Sequence, residues 1–160
     1  MTLRDEVVAA DEAAVRALVA ATEVFSHGEV DVAAELVRER LRLGDESGYF
    51  FLLADGDDGA LAGYACFGPI PCTKASWDLY WIAVDPRRHG RGLGRALLAE
   101  AERRIAAAGG ARVYVDTSGR AAYAPTRAFY ERCGYAVDAR LEDFYAEGDA
   151  KVIYAKRLGA

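Results

Sequence analysis

Cysteine, methionine, proline and histidine are all scarce in this 160-residue chain: three, one, four and two residues respectively. An odd number of cysteines (Cys66, Cys72 and Cys133) without a C-x-x-C excludes a disulfide framework and favours a reduced, cytoplasmic setting. His27 and His89 stand apart from any cysteine or carboxylate pattern, so no metal site is expected. No apolar run approaches the ~18 residues of a membrane span, and Met1-Thr2-Leu3-Arg4-Asp5-Glu6 turns acidic where a signal peptide would turn apolar. There is no repeat, low-complexity tract or Pro/Ser linker, so residues 1–160 are expected to form one domain. A hydrophobic content of 52% is enough to build a core.

The net charge of −5 argues against general affinity for nucleic acid, which needs a basic face. Its distribution is uneven. Residues 1–60 carry 14 acidic and 5 basic residues, while 61–160 carry 11 acidic and 15 basic. Either the two parts meet differently charged ligands, or both are solvated surfaces of uneven composition.

Hydrophobic periodicity predicts the element order βααβββαβαββ, an α/β fold with a mixed sheet. A short strand is expected at Val7-Val8, then a helix capped by Asp11 with Val15, Leu18 and Val19 on its apolar face. A second helix is expected to start at Asp31. Gly48–Ala54 and Leu61–Phe67 read as a hairpin around Asp55–Gly59. Leu79–Val84, the most apolar strand, belongs in the centre of the sheet. A long helix follows through Leu93, Leu97, Ala101 and Ile105, ending at Gly109-Gly110. The strand Arg112–Val115, a helix from Pro125 to Cys133, and the strands Tyr135–Leu141 and Lys151–Leu158 complete the chain.

The chemistry concentrates in Val84-Asp85-Pro86-Arg87-Arg88-His89-Gly90-Arg91-Gly92-Leu93-Gly94-Arg95, where a strand gives way to a Gly-rich turn and a helix. Glycines permit close backbone approach and converging N–H groups at a helix N-terminus, which together bind phosphate. Four arginines fall within residues 87–95, where average composition would place about one basic residue. The helix dipole disfavours cations at that end, so their clustering points to a polyanionic visitor rather than to helix stability. A Walker A loop is excluded because no Lys-Ser/Thr pair follows. A dinucleotide fingerprint is excluded because its third glycine would fall on Arg95.

The run His89-Gly90-Arg91-Gly92-Leu93-Gly94 after Val-Asp-Pro resembles the acetyl-CoA loop of the GCN5-related N-acetyltransferases (GNAT), whose pattern is [Arg/Gln]-x-x-Gly-x-[Gly/Ala]; His89 departs from its first position. Thr126-Arg127-Ala128-Phe129-Tyr130-Glu131-Arg132-Cys133-Gly134-Tyr135 is similar to the family's Ala-x-x-Phe-Tyr-x-x-x-Gly-Phe segment, and Tyr123 stands where the family often has asparagine. The likeness spans nearly the whole chain. It implies a mostly antiparallel central sheet flanked by helices, acetyl-CoA as co-substrate, and direct acetyl transfer to an amine of a small molecule or peptide. It also implies that Ile82, Ala83 and Val84 expose backbone groups to the cofactor, with the Val84 N–H donating to the thioester carbonyl. His89, Gly90, Arg91, Gly92, Leu93, Gly94 and Arg95 would surround the pyrophosphate, and Tyr123 and Thr126 would add contacts. Homodimers are common in that family.

Direct transfer needs a base for the amine and an acid for the leaving thiolate. Tyr130 is the candidate acid, its alternative being a packing aromatic. Asp78 is the candidate base, with Tyr80 two residues on along the same strand face; Glu23 and a water chain are the alternatives. Residues 143–151, with Tyr145, either border the acceptor pocket or form a hairpin turn closed by Gly148-Asp149. A noncatalytic acyl-CoA-binding module would keep the cradle without needing Tyr130.

Overall fold

A computed structural model describes residues 1–159. Seven strands form one mixed sheet in the order β1-β2-β3-β4-β5-β7-β6: β1 (Thr2–Arg4), β2 (Phe50–Asp55), β3 (Leu61–Pro69), β4 (Ser76–Val84), β5 (Arg112–Ser118), β6 (Ala136–Ala146) and β7 (Asp149–Arg157). Four helices accompany it: α1 (Asp11–Ala21), α2 (His27–Leu43), α3 (Leu93–Ala107) and α4 (Ala124–Arg132). The element order is the expected one, and the apolar strand β4 lies in the middle of the sheet. No helix is long and apolar enough to cross a membrane among the described residues. The chain divides into two compact units, Met1–Gly68 with Tyr80–Arg103, and Pro69–Leu79 with Arg104 onward.

In the first unit β2 and β3 pair antiparallel, Phe51 opposite Cys66 and Leu53 opposite Tyr64. Those four residues share one face with Ala83. They pack against Val15, Leu18 and Val19 of α1 and Val30, Ala33 and Val37 of α2. The other face is covered too, which is why β2 reads as an unbroken apolar run rather than an alternating one. Gly63 explains how α3 comes so close. A Cβ there would meet the Ala83 carbonyl at 3.0 Å and the Leu97 and Leu93 side chains at 3.1 and 3.2 Å. Each fully buried Leu or Val in these layers contributes about 1.5–3 kcal/mol.

In the second unit β5 pairs antiparallel with β7, Val113 opposite Lys156 and Val115 opposite Tyr154. The first residues of β4 pair parallel with β5, Ser76, Trp77 and Asp78 against Arg112, Val113 and Tyr114. An aromatic group closes this core: the Tyr130 ring lies 5.7 Å from Tyr135 and 6.2 Å from Tyr154 between centroids.

Three expectations need correction. The first strand is Thr2–Arg4, not Val7-Val8. Arg4 fixes it by pairing opposite Leu53 while its guanidinium bonds Asp55 at 2.6 Å and Asp11 at 2.7 Å. Asp11 is the first residue of α1 rather than its cap, and it accepts from the Val8 N–H at 2.8 Å. The second helix starts at His27, four residues before Asp31. Ser26 and Glu29 form a reciprocal capping box there, satisfying two backbone donors. Residues 143–151 are largely strand, and the hairpin alternative is the observed one. The turn is confined to Glu147-Gly148, with Gly148 at φ +79° and its N–H held by Asp143 at 2.8 Å.

Candidate active site

Ile82, Ala83 and Val84 end β4. Asp85 then begins a single helical turn over Pro86–Arg88, accepting from the Arg87 N–H at 2.9 Å. His89 closes the turn with its ring: Nε2–H donates to the Val84 carbonyl at 3.1 Å. The side chain that departs from the family pattern thus ties the loop back to the strand. Gly90 and Gly92 follow at φ +78° and +77°, a region that only glycine enters without strain. A Cβ at either position would meet nothing within 4 Å, so the backbone there borders open space. Gly92 supplies the first carbonyl of α3, accepting from the Ala96 N–H at 3.0 Å. The first-turn N–H groups of α3 therefore have no intrahelical partner and carry the positive end of the helix dipole. Leu93 is buried and anchors the helix, leaving Gly94 and Arg95 at its outer rim.

The four arginines divide into two kinds. Arg87 grips Asp85 at 2.7 Å, and Arg88 bonds Asp58 at 2.7 Å and lies 3.8 Å from Asp85. Asp85 is buried, and its hydrogen bonds from Arg87 hold its carboxyl down to about 2. Arg91 and Arg95 are exposed and make no ion pair or hydrogen bond among the described residues. The expected polyanion attraction therefore reduces to two cations; the other two build the turn. A cavity of about 220 Å³ lies beside this turn, lined by Met1, Arg88, Arg91, Gly92, Leu93 and Ala96.

Asp78, Tyr123, Thr126 and Tyr130 belong to the second unit, and Glu23 to the first. Tyr130, on α4, is 3% exposed and packed against Phe129, Tyr135 and Tyr154; burial pushes its phenol up, so it stays protonated at neutral pH. Tyr123 is buried at the start of α4 beneath the Arg120 guanidinium, 5.4 Å from its ring, and Thr126 is half-buried in the first turn. Arg127 holds that turn by donating to the Ser118 carbonyl at 2.6 Å and the Arg120 carbonyl at 2.9 Å. Asp78 is half-buried, and its carboxyl rises to about 6, first through desolvation and then through Asp116, with Lys151 opposing. Lys151 binds Asp116 at 3.1 Å and lies over the Phe144 ring at 4.4 Å. Asp116 and Lys151 come from β5 and β7. They were not legible beside Asp78, because only strand pairing brings residues 78, 116 and 151 together. Glu23, the alternative base, is exposed at the end of α1 with φ +58°.

Residues 12–135 match the sequence profile of the Acetyltransferase (GNAT) family. The chain belongs to the GNAT acetyltransferase family. A GNAT-family protein from Desulfovibrio desulfuricans is 47% identical, with 98% of both chains covered and a TM-score of 0.92. The fold also matches an aminoglycoside 6'-N-acetyltransferase in complex with coenzyme A (19% identity, 98% of this chain and 97% of that one, TM-score 0.76). It matches the ribosomal-protein-S18-alanine N-acetyltransferase of Escherichia coli as well (22%, 99% and 94%, TM-score 0.78). At those identities the likeness concerns the fold alone. No curated protein matches the sequence.

Proposed function

We propose that this chain is an acetyl-CoA-dependent N-acetyltransferase acting on an amine of a small molecule or peptide. The observation that carries this reading is the α3 turn. Two left-handed glycines border open space beside unpaired helical N–H groups, with Arg91 and Arg95 free to meet phosphate. Acetyl-CoA supplies the activated acetyl thioester when bound. Gly90, Gly92, Leu93 and Gly94 would hold its pyrophosphate through backbone groups, with His89 keeping the turn in place. Arg91 and Arg95 add charge. Ile82, Ala83 and Val84 offer strand-end backbone groups, the Val84 N–H polarising the acyl carbonyl. Tyr123 and Thr126 are assigned to the cofactor from the family motif alone.

Asp78 is the base of this proposal. A carboxyl held at about 6 is ionised at neutral pH yet basic enough to relay a proton from an acceptor ammonium. Tyr130 carries the proton for the leaving thiolate, and its burial keeps that proton in place. A reducing, cytoplasmic setting is proposed from the odd number of cysteines, which lack a C-x-x-C.

The same burial of Tyr130 is what favours the second reading, a module that binds acyl-CoA and does not transfer. Thiol release from acetyl-CoA against a panel of amines separates the two, with the acetylated product identified by mass. Amine-dependent release supports the transferase. Saturable coenzyme A binding with no release across the panel supports the module.

A further inference from the structure

The proposed chemistry uses one of three charges that share a face of the second unit. On β4, Asp78 lies level with Tyr114 of β5, and Asp116 is the next residue of β5 on that face. On β7, Ile153 lies opposite Asp116, and Lys151, two residues away, belongs to the same side. The titratable groups facing Asp78 are therefore Tyr114 and Asp116 of β5 and Lys151 of β7. Lys151 is held from two directions. Its Nζ lies 3.1 Å from the Asp116 carboxylate and 4.4 Å from the centre of the Phe144 ring. Phe144 comes from the stretch of β6 displaced by the register shift between Leu141 and Ala146. The lysine side chain is only 19% exposed, against 49% for Asp116, so the cation is the ordered member of the pair.

Stability does not account for this arrangement. An ion pair with a half-exposed partner contributes little, and a side chain as long as lysine loses rotamer freedom when fixed at two points. What the arrangement does achieve is a positive and a negative charge set at defined places beside Asp78. Asp116 favours the protonated carboxyl of Asp78 and Lys151 favours the ionised one. We infer that Asp116 and Lys151 are positioning residues of the transfer reaction, a charge pair clamped by Phe144 that governs when Asp78 gives up its proton. This rests on the reading of Asp78 as the base. Both residues act through Asp78 and exchange no proton themselves. Removing either charge works in one direction only. Without Lys151 the repulsion from Asp116 is unmasked, and Asp78 holds its proton to higher pH. Without Asp116 the repulsion is gone and Lys151 is released toward Asp78, so the proton leaves at lower pH.

The experiment reads the Asp78 carboxyl directly. Protein labelled with carbon-13 at its aspartate carboxyls is titrated by NMR from pH ~4 to ~8, the Asp78 signal being the one lost in Asp78→Asn. Lys151→Met should raise the midpoint by about 0.5–1 pH unit, and Asp116→Asn should lower it by a similar amount. Lys151→Arg keeps the cation and should stay close to the parent. The pH profile of kcat for amine-dependent thiol release should move with the midpoint, in the same direction in each variant. A midpoint that stays fixed in the folded variants, or moves against these signs, overturns the inference whatever the rates do. Either variant decides the sign alone should the other fail to fold. A midpoint that moves while the kcat profile stays fixed, or while no amine supports release, overturns instead the reading of Asp78 as the base, and the role of the pair in the reaction falls with it.

Discussion

Asp78→Asn should stabilise the protein at neutral pH while slowing acetyl transfer. The folded state binds the Asp78 proton more tightly than the unfolded chain does, because its carboxyl rises from 3.8 to about 6. For a raised carboxyl the cost of ionisation is absent below the unfolded value, grows as pH rises through the window from 3.8 to about 6, and is complete above it. A shift of that size corresponds to at most ~3 kcal/mol. Solvent screening of a half-exposed group reduces this to about 1–2 kcal/mol. Asparagine keeps the shape and never ionises. Urea denaturation of parent and variant should therefore show the variant about 1–2 kcal/mol more stable at pH ~8, with the difference closing by pH ~4. Amine-dependent thiol release should fall by about 10²–10⁴ if Asp78 is the base, and the rise of kcat with pH through about 6 should vanish. A stability difference independent of pH, or a variant less stable at pH ~8, would refute the electrostatic argument. Unchanged kcat would remove Asp78 from the chemistry and leave Glu23 or water as the base.

Four further outcomes follow from the site. Gly92→Ala is strained by its φ of +77° and not by contacts, so calorimetry should show coenzyme A binding weakened roughly tenfold, with a stability loss of about 1–2 kcal/mol. Arg91→Ala and Arg95→Ala should weaken coenzyme A binding by about three- to tenfold each at low salt, and less at high salt, with little change in melting temperature. Arg88→Ala should instead lower the melting temperature, because it removes the ion pair to Asp58 and a cation 3.8 Å from the buried Asp85; the reverse pattern would contradict the division of the arginines. Tyr130→Phe should lower kcat and preserve acetyl-CoA affinity in equilibrium dialysis; equal activity of parent and variant would return Tyr130 to the core as a packing residue.

Local signals were legible wherever one segment contained the whole interaction. The S-x-x-E of Ser26 and Glu29 is such a signal, passed over in favour of Asp31, and it sets the helix start because both halves of the box satisfy backbone donors. The Gly-rich turn is another, since the φ of +78° and +77° at Gly90 and Gly92 is a requirement that the residue type itself announces. Val7-Val8 misled because apolar character alone does not make a strand. Pairing with β2 selected Thr2–Arg4, and the ion pairs of Arg4 to Asp55 and Asp11 hold it there. The length of β6 was hidden for the same reason. Its hydrogen bonds go to β7, and the register shifts between them follow no local pattern.

The sequence by itself determined the class of fold, the order of elements and the position of the Gly-rich turn. Each of these depends on periodicity, capping or glycine, which act within about one turn or one strand of chain. Charge was different. Counting along the chain separates an acidic first part from a basic remainder. In the folded protein Asp58 of the first part neutralises Arg88 of the second, and Asp85 takes up Arg87. Which arginines remain free for a phosphate, and which carboxyl is pushed toward neutrality, was decided only by tertiary structure. Electrostatic energies follow distance and burial, and neither is a function of sequence separation.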